Sequence, residues 1–478
     1  MLFLSAEVAP FSKTGGLGDV AGALPRALAA QGCEVLVVTP LYRQVSRAAL
    51  LETDLDIAVE FPASRARFRV FEHRAADGVT ILFLSNEALF GRAGLYDEGG
   101  HAYSDNAERF AAFSIAALKA SLLWGFAPHV VHLNDWHTAL AAVALKQRFV
   151  DTALAAALCV FTVHNAAFAG NFPRQTVSAL GLSWQDFSPS GFEFYGELSF
   201  LKAGFSCADV VTTVSPTHAR ELLTPEGGFG FDGFLRARGG VLGILNGIDT
   251  SLWDPSTDAG LPAKFSATDL SGKHACARAL LERLGLSQAN VERRAPIFGS
   301  VGRLAAQKGV DLLIQEIPHL VAQGARVIVV GEGEERFVSD LLALERAHPK
   351  QVAVRAQFDE GLSHALVAGA DFFLMPSRYE PCGLTQMHAS RYGTVPVVRR
   401  VGGLADSVVD LSQPEGTGIV FDDYSSKAFA EATERALKLF GDSAQLLKVR
   451  RSGMRRDFSW ARAASQYVAL YREAKSAR

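Results

Sequence analysis

The chain has 478 residues, with 47 Lys and Arg against 50 Asp and Glu, which gives a formal net charge of −3. Hydrophobic residues make up 49% and charged residues 20%, a globular composition that excludes wholesale disorder. The near-neutral charge argues against a general nucleic-acid or membrane-surface binder, and the length predicts at least two domains.

The cysteines and the amino-terminal segment indicate the compartment. The five cysteines stand singly with no Cys-x-x-Cys pair, so they predict neither a disulfide framework nor a zinc cluster. Residues 1–7 lack the basic region of a signal peptide. No uninterrupted apolar run approaches the roughly 18 residues that a transmembrane helix needs. We therefore expect a cytoplasmic protein without membrane attachment.

Short apolar runs typical of buried strands alternate with Ala- and Leu-rich helical patterns along the whole chain. Apolar strands separated by helices are typical of parallel sheets covered on both faces, so the sequence predicts an α/β fold. In the first half, strands are predicted at residues 2–5, 34–39, 130–133 and 159–163, with helices at 19–31 and 136–147. A second series of strands is predicted at 241–245, 297–301, 325–330, 351–355, 371–375 and 395–398.

The two series of strands predict two doubly wound parallel-sheet domains rather than one very wide sheet. The boundary is predicted at residues 238–240, which gives domains of residues 1–240 and 241–458. The last predicted helix, at residues 461–475, is amphipathic. Its apolar face fits packing on either domain.

A glycine-rich loop joins the first predicted strand to the first predicted helix. Lys13, Gly16, Gly18 and Asp19 lie in it. Backbone N–H groups at a helix N-terminus attract anions, and glycines let phosphate oxygens approach closely. The spacing fits neither Gly-x-Gly-x-x-Gly nor a P-loop, so a tight structural turn is the alternative interpretation.

Two cations, Arg303 and Lys308, follow the predicted strand at residues 297–301. Open α/β sheets bind ligands at the carboxyl ends of their strands, so both side chains are expected to face a crevice. Arginine supplies a planar fork of donors and lysine a compact charge, which together suit a diphosphate. The alternative is a pair of solvated surface cations.

An unusual loop follows the predicted strand at residues 371–375. Pro381 and Gly383 fix a non-helical backbone there, so Glu380 is expected to project from the loop. A carboxylate in a crevice can accept sugar hydroxyls and oppose growing positive charge. The alternative is a partner for the dipole of the next helix. Cys382 is interpreted as a small buried residue rather than a nucleophile, because no base for it is identified in the sequence.

Polar residues also end the predicted strands of the first domain. Asp135 follows one strand, and His164 with Asn165 follows another. Neutral His and Asn side chains suit hydroxyl recognition, and an Asp carboxylate can bind a sugar or accept a proton. Tyr96 and Asn246 are further loop candidates. Each of these residues has a purely structural polar role as its alternative.

Seven motifs, taken in order, resemble those of the bacterial glycogen synthases and the plant starch synthases. They span both predicted domains, at residues 13–19, 134–137, 162–165, 246–249, 303 with 308, 380–385 and 402–406. The resemblance implies a GT-B fold, in which two Rossmann-like domains face each other across a deep cleft. It implies retaining transfer of glucose from ADP-glucose to the non-reducing end of an α-1,4-glucan, either glycogen or a maltooligosaccharide. It also implies that residues 459–478 pack back on the first domain.

The resemblance further implies a role for each candidate residue. The expected catalytic set is Glu380, His164, Asp135, Arg303 and Lys308. Arg303 and Lys308 would hold the donor diphosphate, and Glu380 would face the glucosyl group. His164 would recognise donor hydroxyls, and Asp135 would lie near the acceptor or the reacting centre. The expected substrate-binding set is Lys13, Gly16, Gly18, Asp19, Tyr96, Asn165, Asn246, Phe358, Cys382, Gly383, Leu384 and Thr385.

Within that set, Phe358 is expected to stack on adenine. No metal and no cofactor are expected, because the two cations take the role that a divalent metal has elsewhere. Neither nucleic acid nor a membrane is an expected partner.

Other functions stay open at the level of the sequence. A related retaining glucosyltransferase that uses UDP-glucose or another acceptor would share the fold. A phosphorylase-type enzyme would need a lysine-bound pyridoxal phosphate, and a catalytically silent glucan- or nucleotide-binding regulator would need no chemistry. Retention itself can use a carboxylate nucleophile, for which Glu380 is the candidate, or same-face attack within an ion pair.

Overall fold

The computed structural model describes residues 1–286 and 295–477. The chain folds into two compact units, Met1–Gly247 together with Trp460–Arg478, and Ile248–Ser459. We call them unit 1 and unit 2. Each contains a mainly parallel sheet with helices packed against it, so the predicted α/β class is confirmed. In the described ranges, no helix combines the length and the apolar character that crossing a membrane requires.

The main sheet of unit 1 has nine described strands, of which seven are parallel. An antiparallel pair of strands completes one edge of the sheet. Numbered along the chain, the parallel strands follow the spatial order 3-2-1-4-5-6-7, which has a switch point between strands 1 and 4. The nine strands in spatial order are Leu51–Glu60, Arg65–Arg74, Thr80–Ser85, Leu36–Pro40, Leu2–Leu4, Val130–Asn134, Leu158–Val163, Val210–Thr213 and Leu242–Gly243.

Helices and two small sheets complete unit 1. The final helix packs on the helix that follows the glycine loop, and it buries Tyr467 and Tyr471. The hydroxyl of Tyr471 lies 2.7 Å from Nδ1 of His132 on a central strand. The small strands are Asp97–Glu98 with His101–Ala102, and Asn171–Phe172, Glu197–Ser199 and Glu193–Phe194. The α-helices are Gly16–Ala29, Glu87–Phe90, Asn106–Leu123, Leu140–Gln147, Thr176–Ala179, Phe200–Cys207, Pro216–Glu221, Asp232–Ala237 and Trp460–Ser476, with 3₁₀ helices at Arg47–Ala49 and Trp136–Thr138.

The structure differs from the prediction at the end of unit 1. Leu242–Gly243, predicted to open the second series of strands, pairs in parallel with Val210–Thr213 of the first sheet. Because of that pairing, unit 1 continues to Gly247, past the predicted boundary at residue 240. The first helix also begins earlier than predicted, so that Gly16 and Gly18 lie in its first turn rather than in the loop before it.

Unit 2 contains a sheet of six described strands, all parallel. In spatial order they are Val352–Arg355, Arg326–Val330, Ile297–Val301, Phe372–Met375, Val395–Arg399 and Ile419–Phe421. Numbered along the chain this order is 3-2-1-4-5-6, the doubly wound arrangement. The helices are Ser271–Leu284, Val310–Ala322, Glu335–Ala347, Glu360–Gly369, Thr385–Arg391, Gly402–Ser407, Ser426–Gly441 and Ser443–Met454, with a 3₁₀ helix at Ala306–Lys308.

The strand order of unit 2 decides which loops meet. Ile297–Val301 and Phe372–Met375 are hydrogen-bonded neighbours at the switch point of the sheet. The loops that leave their carboxyl ends, residues 302–309 and 376–384, therefore emerge side by side. Ligands of doubly wound sheets bind at such a switch point, so these two loops are the candidate ligand-binding site of unit 2.

Candidate active site

The two switch-point loops of unit 2 are joined by an ion pair. Nζ of Lys308 donates to Oε2 of Glu380 at 2.6 Å, and the hydroxyl of Ser377 donates to the same oxygen at 3.2 Å. Glu380 is only 5% exposed, whereas a quarter of the Lys308 side chain is open to solvent. The carboxylate is therefore enclosed, and the lysine side chain that neutralises it is partly open to solvent.

Arg303 lies beside this pair, on the surface of unit 2. Nη2 of Arg303 donates to Oε1 of Gln307 at 2.9 Å. Sequence reasoning did not single out Gln307, which carries no charge and occupies no recognisable motif position. Arg303 thus contacts a neutral amide, whereas Lys308 of the same loop contacts a carboxylate.

The Glu380 loop is packed tightly against the start of another helix. A Cβ on Gly402 would lie 1.9 Å from the carbonyl oxygen of Glu380, so only glycine fits there. Gly383 has φ +68°, a left-handed conformation that favours glycine. The fully buried Gln386 holds the turn, because its Nε2 donates to the carbonyl oxygens of Cys382 and Gly383.

The other substrate-binding candidates of unit 2 lie in or next to the Glu380 loop, except for Phe358. Cys382 is buried, as interpreted from the sequence. Leu384 precedes the helix that begins at Thr385, and the hydroxyl of Thr385 donates to the sulfur of Met375 at 3.4 Å. Phe358 lies elsewhere in unit 2, in the loop between a strand and the helix Glu360–Gly369, and 57% of it is exposed.

In unit 1 the glycine loop is organised by Glu7, a residue that sequence reasoning missed. Oε2 of Glu7 accepts from the backbone N–H of Thr14 at 2.6 Å, and Oε1 accepts from the hydroxyls of Thr14 at 2.7 Å and Tyr96 at 2.6 Å. Burial raises the pKa of the Glu7 carboxyl, and these donors partly offset that rise. A charged residue just after an apolar strand was the available sequence signal.

The charged candidates of the glycine loop pair with each other. Nζ of Lys13 lies 2.7 Å from Oδ1 of Asp19, and both side chains are more than a third exposed. Gly18 lies under Lys13, since a Cβ on this glycine would be 3.1 Å from Cβ of Lys13. The loop thus presents a lysine and the first turn of a helix at the switch point of unit 1.

Asp135 follows the neighbouring strand and has an unusual backbone. Its φ of 56° and ψ of 177° are rare for a non-glycine residue and cost about 1–3 kcal/mol, strain of a kind that clusters at functional sites. Oδ1 of Asp135 accepts from the N–H of His164 at 2.7 Å. Burial raises the pKa of Asp135 to about 7, against hydrogen bonds from the N–H groups of His164 and Asn165.

His164 is held in one tautomer. Its Nε2 lies 2.9 Å from Oδ1 of Asn134, whose Nδ2 donates to the carbonyl oxygen of Leu4. Since that Oδ1 can only accept, Nε2 of His164 carries the proton and Nδ1 is an acceptor. Burial lowers the pKa of His164 to about 3, so the ring is neutral at physiological pH.

The other candidates of unit 1 are Tyr96, Asn165 and Asn246. The Tyr96 ring is tilted by 32° against that of His137, with ring centroids 4.5 Å apart, and its hydroxyl donates to Glu7. Asn165 is half-buried, and its Oδ1 accepts from the N–H of Ala167. Asn246 is buried, and its Oδ1 has no hydrogen-bond partner within the described residues.

The structure therefore gathers the predicted residues into a cluster in each unit. In unit 2, Arg303, Lys308 and Glu380 share the switch point. In unit 1, the glycine loop and Tyr96 are linked through Glu7, and Asp135 contacts His164. Among the described residues, no group of three or more His, Cys, Asp or Glu side chains is arranged to hold a metal ion.

Comparison with known proteins identifies the family. Residues 1–237 match the model of the starch synthase catalytic domain, and residues 287–448 match that of the glycosyl transferases group 1. The glycogen synthase of Myxococcus xanthus is 49% identical over 99% of both chains. The chain belongs to the starch and glycogen synthase family. The glycogen synthase of Syntrophotalea carbinolica, another relative, is 43% identical over 99% of this chain and 98% of its own.

Solved structures agree with membership of the starch and glycogen synthase family. The catalytic domain of starch synthase IV from Arabidopsis thaliana, bound to ADP and acarbose, superposes with a TM-score of 0.92 at 33% identity and 99% coverage of both chains. Sucrose-phosphate synthase from Thermosynechococcus elongatus, at TM-score 0.63 and 21% identity over 100% of this chain and 99% of its own, shares the fold alone. The predicted GT-B fold and glycosyltransferase class are thereby confirmed. Enzymes of this family use a nucleotide-sugar donor and a glucan acceptor.

Proposed function

We propose that the chain is a glycogen synthase that transfers glucose from ADP-glucose to the non-reducing end of an α-1,4-glucan, with retention of configuration. Its family supports the reaction class, and the structure of the starch synthase neighbour is bound to ADP and acarbose. The observation that carries the proposal is the partly exposed Lys308, fixed by Glu380 at the switch point of unit 2 with Arg303 on the same loop. The absence of a disulfide among the described cysteines fits a reducing cytoplasm as the place of the reaction.

Arg303 and Lys308 would stabilise the leaving group. As glucose departs from ADP, negative charge grows on the diphosphate and positive charge on the anomeric carbon. Fixed cations aimed at the growing negative charge lower the barrier, and removal of one such group costs about 2.7–4 kcal/mol in comparable sites. Because the ion pair already orders the flexible Lys308 side chain, less conformational entropy is lost when the donor binds.

Glu380 would orient Lys308 and oppose the positive charge that grows on the glucosyl group. Its Oε2 already receives hydrogen bonds from Lys308 and Ser377. A carboxylate neutralised in this way is a weak nucleophile, which favours retention by same-face attack within an ion pair over a covalent intermediate.

Unit 1 would supply groups that recognise phosphate and sugar hydroxyls. Lys13, Gly16, Gly18 and Asp19 would meet the donor phosphates at the helix N-terminus. Neutral His164 and Asn165 would bind donor hydroxyls, the former through its Nδ1 acceptor. Asp135, whose pKa is close to 7, would accept a hydrogen bond from the acceptor hydroxyl.

The other proposed contacts are with the sugar and with the adenine and oxygen atoms of the donor. Tyr96 and the unpartnered Oδ1 of Asn246 would line the sugar-binding surface of unit 1. Phe358 would stack on adenine, and the backbone from Gly383 to Thr385, set by buried Cys382 and Leu384, would meet donor oxygens.

The test is incorporation of labelled glucose from ADP-glucose, and separately from UDP-glucose, into glycogen. The parent protein is compared with Lys308→Ala, Glu380→Ala and the control Lys350→Ala, which removes an exposed lysine of the same unit. We expect incorporation from ADP-glucose by the parent and the control, and loss of at least about a hundredfold in the two site variants. Comparable turnover in all four proteins would overturn the site assignment, and incorporation from UDP-glucose alone would overturn the donor.

A further inference from the structure

Gln307 connects the two switch-point loops of unit 2. Its Oε1 accepts from Nη2 of Arg303 at 2.9 Å, and its Nε2 approaches the carbonyl oxygen of Tyr379 at 3.4 Å. Its own carbonyl oxygen accepts from the N–H of Arg378 at 2.8 Å. One residue therefore contacts the cation of the first loop and the backbone of the two residues that precede Glu380.

The backbone of this turn is also seated by contacts that do not involve the Gln307 side chain. Gly309 has φ +70°, and a Cβ there would lie 2.0 Å from the carbonyl oxygen of Pro376, so the two loops touch directly. Lys308 is fixed by its ion pair with Glu380. What the side-chain amide of Gln307 adds is therefore mainly a fixed acceptor for Arg303.

Arg303 is the residue of the pair that needs such an acceptor. Its side chain is exposed, and a long exposed arginine has much rotamer freedom to lose when it binds a ligand. A carboxylate in place of Gln307 would order the guanidinium equally well, but it would also neutralise its charge. An amide oxygen orients the fork without adding a negative charge of its own.

We propose that Gln307 is a positioning residue that aims the Arg303 guanidinium at the diphosphate of a nucleoside diphosphate sugar. The proposal rests on the proposed function, in which Arg303 meets that diphosphate. Gln307 itself need not touch the donor. Its effect on turnover passes through Arg303, so removal of Arg303 should make Gln307 nearly irrelevant.

A double-mutant cycle tests this dependence. The proteins are the parent, Gln307→Met, Arg303→Ala and the double variant, with Gln315→Met as a control that removes an exposed glutamine from the next helix. We expect Gln307→Met to lower kcat/KM for ADP-glucose about tenfold in the parent, the scale of one charge-assisted hydrogen bond. In the Arg303→Ala background the same change should lower it less than about twofold. The KM for glycogen should not move, and the control should match the parent.

Gln307→Glu adds a second readout that a structural role would not produce. It keeps an acceptor for Arg303 but places a negative charge next to the diphosphate site. We expect its KM for ADP-glucose to exceed that of Gln307→Met, because the added carboxylate repels the donor and neutralises Arg303. Equal KM values for the two variants would contradict the orienting role.

The outcomes separate the two proposals. If Arg303→Ala retains full activity with ADP-glucose, the proposed function of Arg303 fails. If Arg303→Ala loses activity but Gln307→Met costs the same about tenfold in both backgrounds, the proposed function stands and the positioning role is wrong. Thermal unfolding gives further evidence for a purely structural role. If Gln307 only supports the loop, its change to Met should lower the unfolding midpoint by the same amount in the parent and in the Arg303→Ala background.

Discussion

The ammonium nitrogen of Lys308 lies 2.6 Å from a carboxylate oxygen of Glu380, although 72 positions separate the two residues. They meet because the strands before their loops are neighbours, with Phe298 paired to Phe372. The carboxylate is enclosed and the ammonium is partly open, so the pair neutralises a buried charge and presents a cation at the same time.

Removal of the cation should therefore affect stability and catalysis together. Lys308→Ala leaves the Glu380 carboxylate enclosed without its partner, which should lower the free energy of unfolding by about 1–3 kcal/mol. The partial exposure of Lys308 keeps this figure below that of a fully buried pair. Activity with ADP-glucose should fall by about 10²–10³. Denaturant unfolding and labelled-glucose incorporation measure the two effects.

The double variant Lys308→Met with Glu380→Gln separates those effects. Without either charge, no buried carboxylate is left unpaired, so most of the lost stability should return. Activity should stay low, because the cation is still missing. A double variant as unstable as Lys308→Ala would show that the enclosed charge is not the source of the instability.

Glu7 leads to a second prediction, for the glycine loop of unit 1. Glu7→Ala removes the acceptors of the Thr14 N–H, the Thr14 hydroxyl and the Tyr96 hydroxyl. The loop should then exchange its amide hydrogens faster, and the KM for the donor should rise about tenfold, since a charge-assisted hydrogen bond supports a change of that size. Hydrogen exchange at residues 13–16 and donor kinetics are the measurements.

Glu7→Gln is the matched control for that change. Its amide oxygen can still accept from the backbone N–H of Thr14, and the hydroxyls of Thr14 and Tyr96 can rotate to accept from the new amide nitrogen. Exchange and donor KM should therefore lie close to the parent values. If Glu7→Ala and Glu7→Gln behave alike, hydrogen bonding by Glu7 does not organise the loop.

Most of the parallel strands were predictable because each is a short apolar run bounded by polar residues, but Thr80–Ser85, Val210–Thr213 and Ile419–Phe421 were not predicted. The apolar pattern of a strand does not show which strand it pairs with, however. For that reason residues 241–245 were assigned to the wrong sheet. An apolar run of that length suits either sheet, and its pairing with Val210–Thr213 is decided only by the tertiary fold. The antiparallel strands Leu51–Glu60 and Arg65–Arg74 were missed. Their outer faces carry charged residues, so they lack the continuous apolar character that was sought.

The residues of the site were easier to predict than their contacts. Arg303, Lys308 and Glu380 each follow an apolar strand, and position after a strand is readable from the sequence. Their contact depends on strand order, which local patterns do not determine. Glu7 shows the same limit, because its partner Tyr96 lies 89 positions away and its importance appears only when the two meet.

Asp135 gives a prediction about pH. Its pKa is about 7 in the folded protein against 3.8 for an ordinary Asp, so the folded state binds a proton that the unfolded state has released between these values. The stability contributed by this group is therefore lost as pH rises from about 4 through 7. Asp135→Asn does not titrate and keeps an acceptor for the N–H of His164. Relative to the parent, it should gain about 2 kcal/mol of unfolding free energy between pH 5 and pH 8.

Denaturant unfolding of the parent and of Asp135→Asn at both pH values checks this sign. Asp209→Asn is a comparison from the same unit, since the Asp209 carboxylate also accepts a backbone N–H, that of Cys159. A stability difference between parent and Asp135→Asn that stays constant from pH 5 to pH 8 would contradict the raised pKa. If the stability of Asp135→Asn relative to the parent falls as pH rises, the pKa of Asp135 is lowered rather than raised.

Phe358 provides the test of donor recognition that is least confounded by folding. The residue is 57% exposed, so Phe358→Ala removes little buried surface and should leave the unfolding midpoint unchanged. If the ring stacks on adenine, the variant should raise the KM for ADP-glucose about tenfold, since stacking on a base is worth about 1–3 kcal/mol. Phe358→Tyr, which keeps the ring, should match the parent. Because the stack forms with the donor only, the KM for glycogen should be the same in all three proteins, and an unchanged KM for ADP-glucose in Phe358→Ala would place the adenine elsewhere.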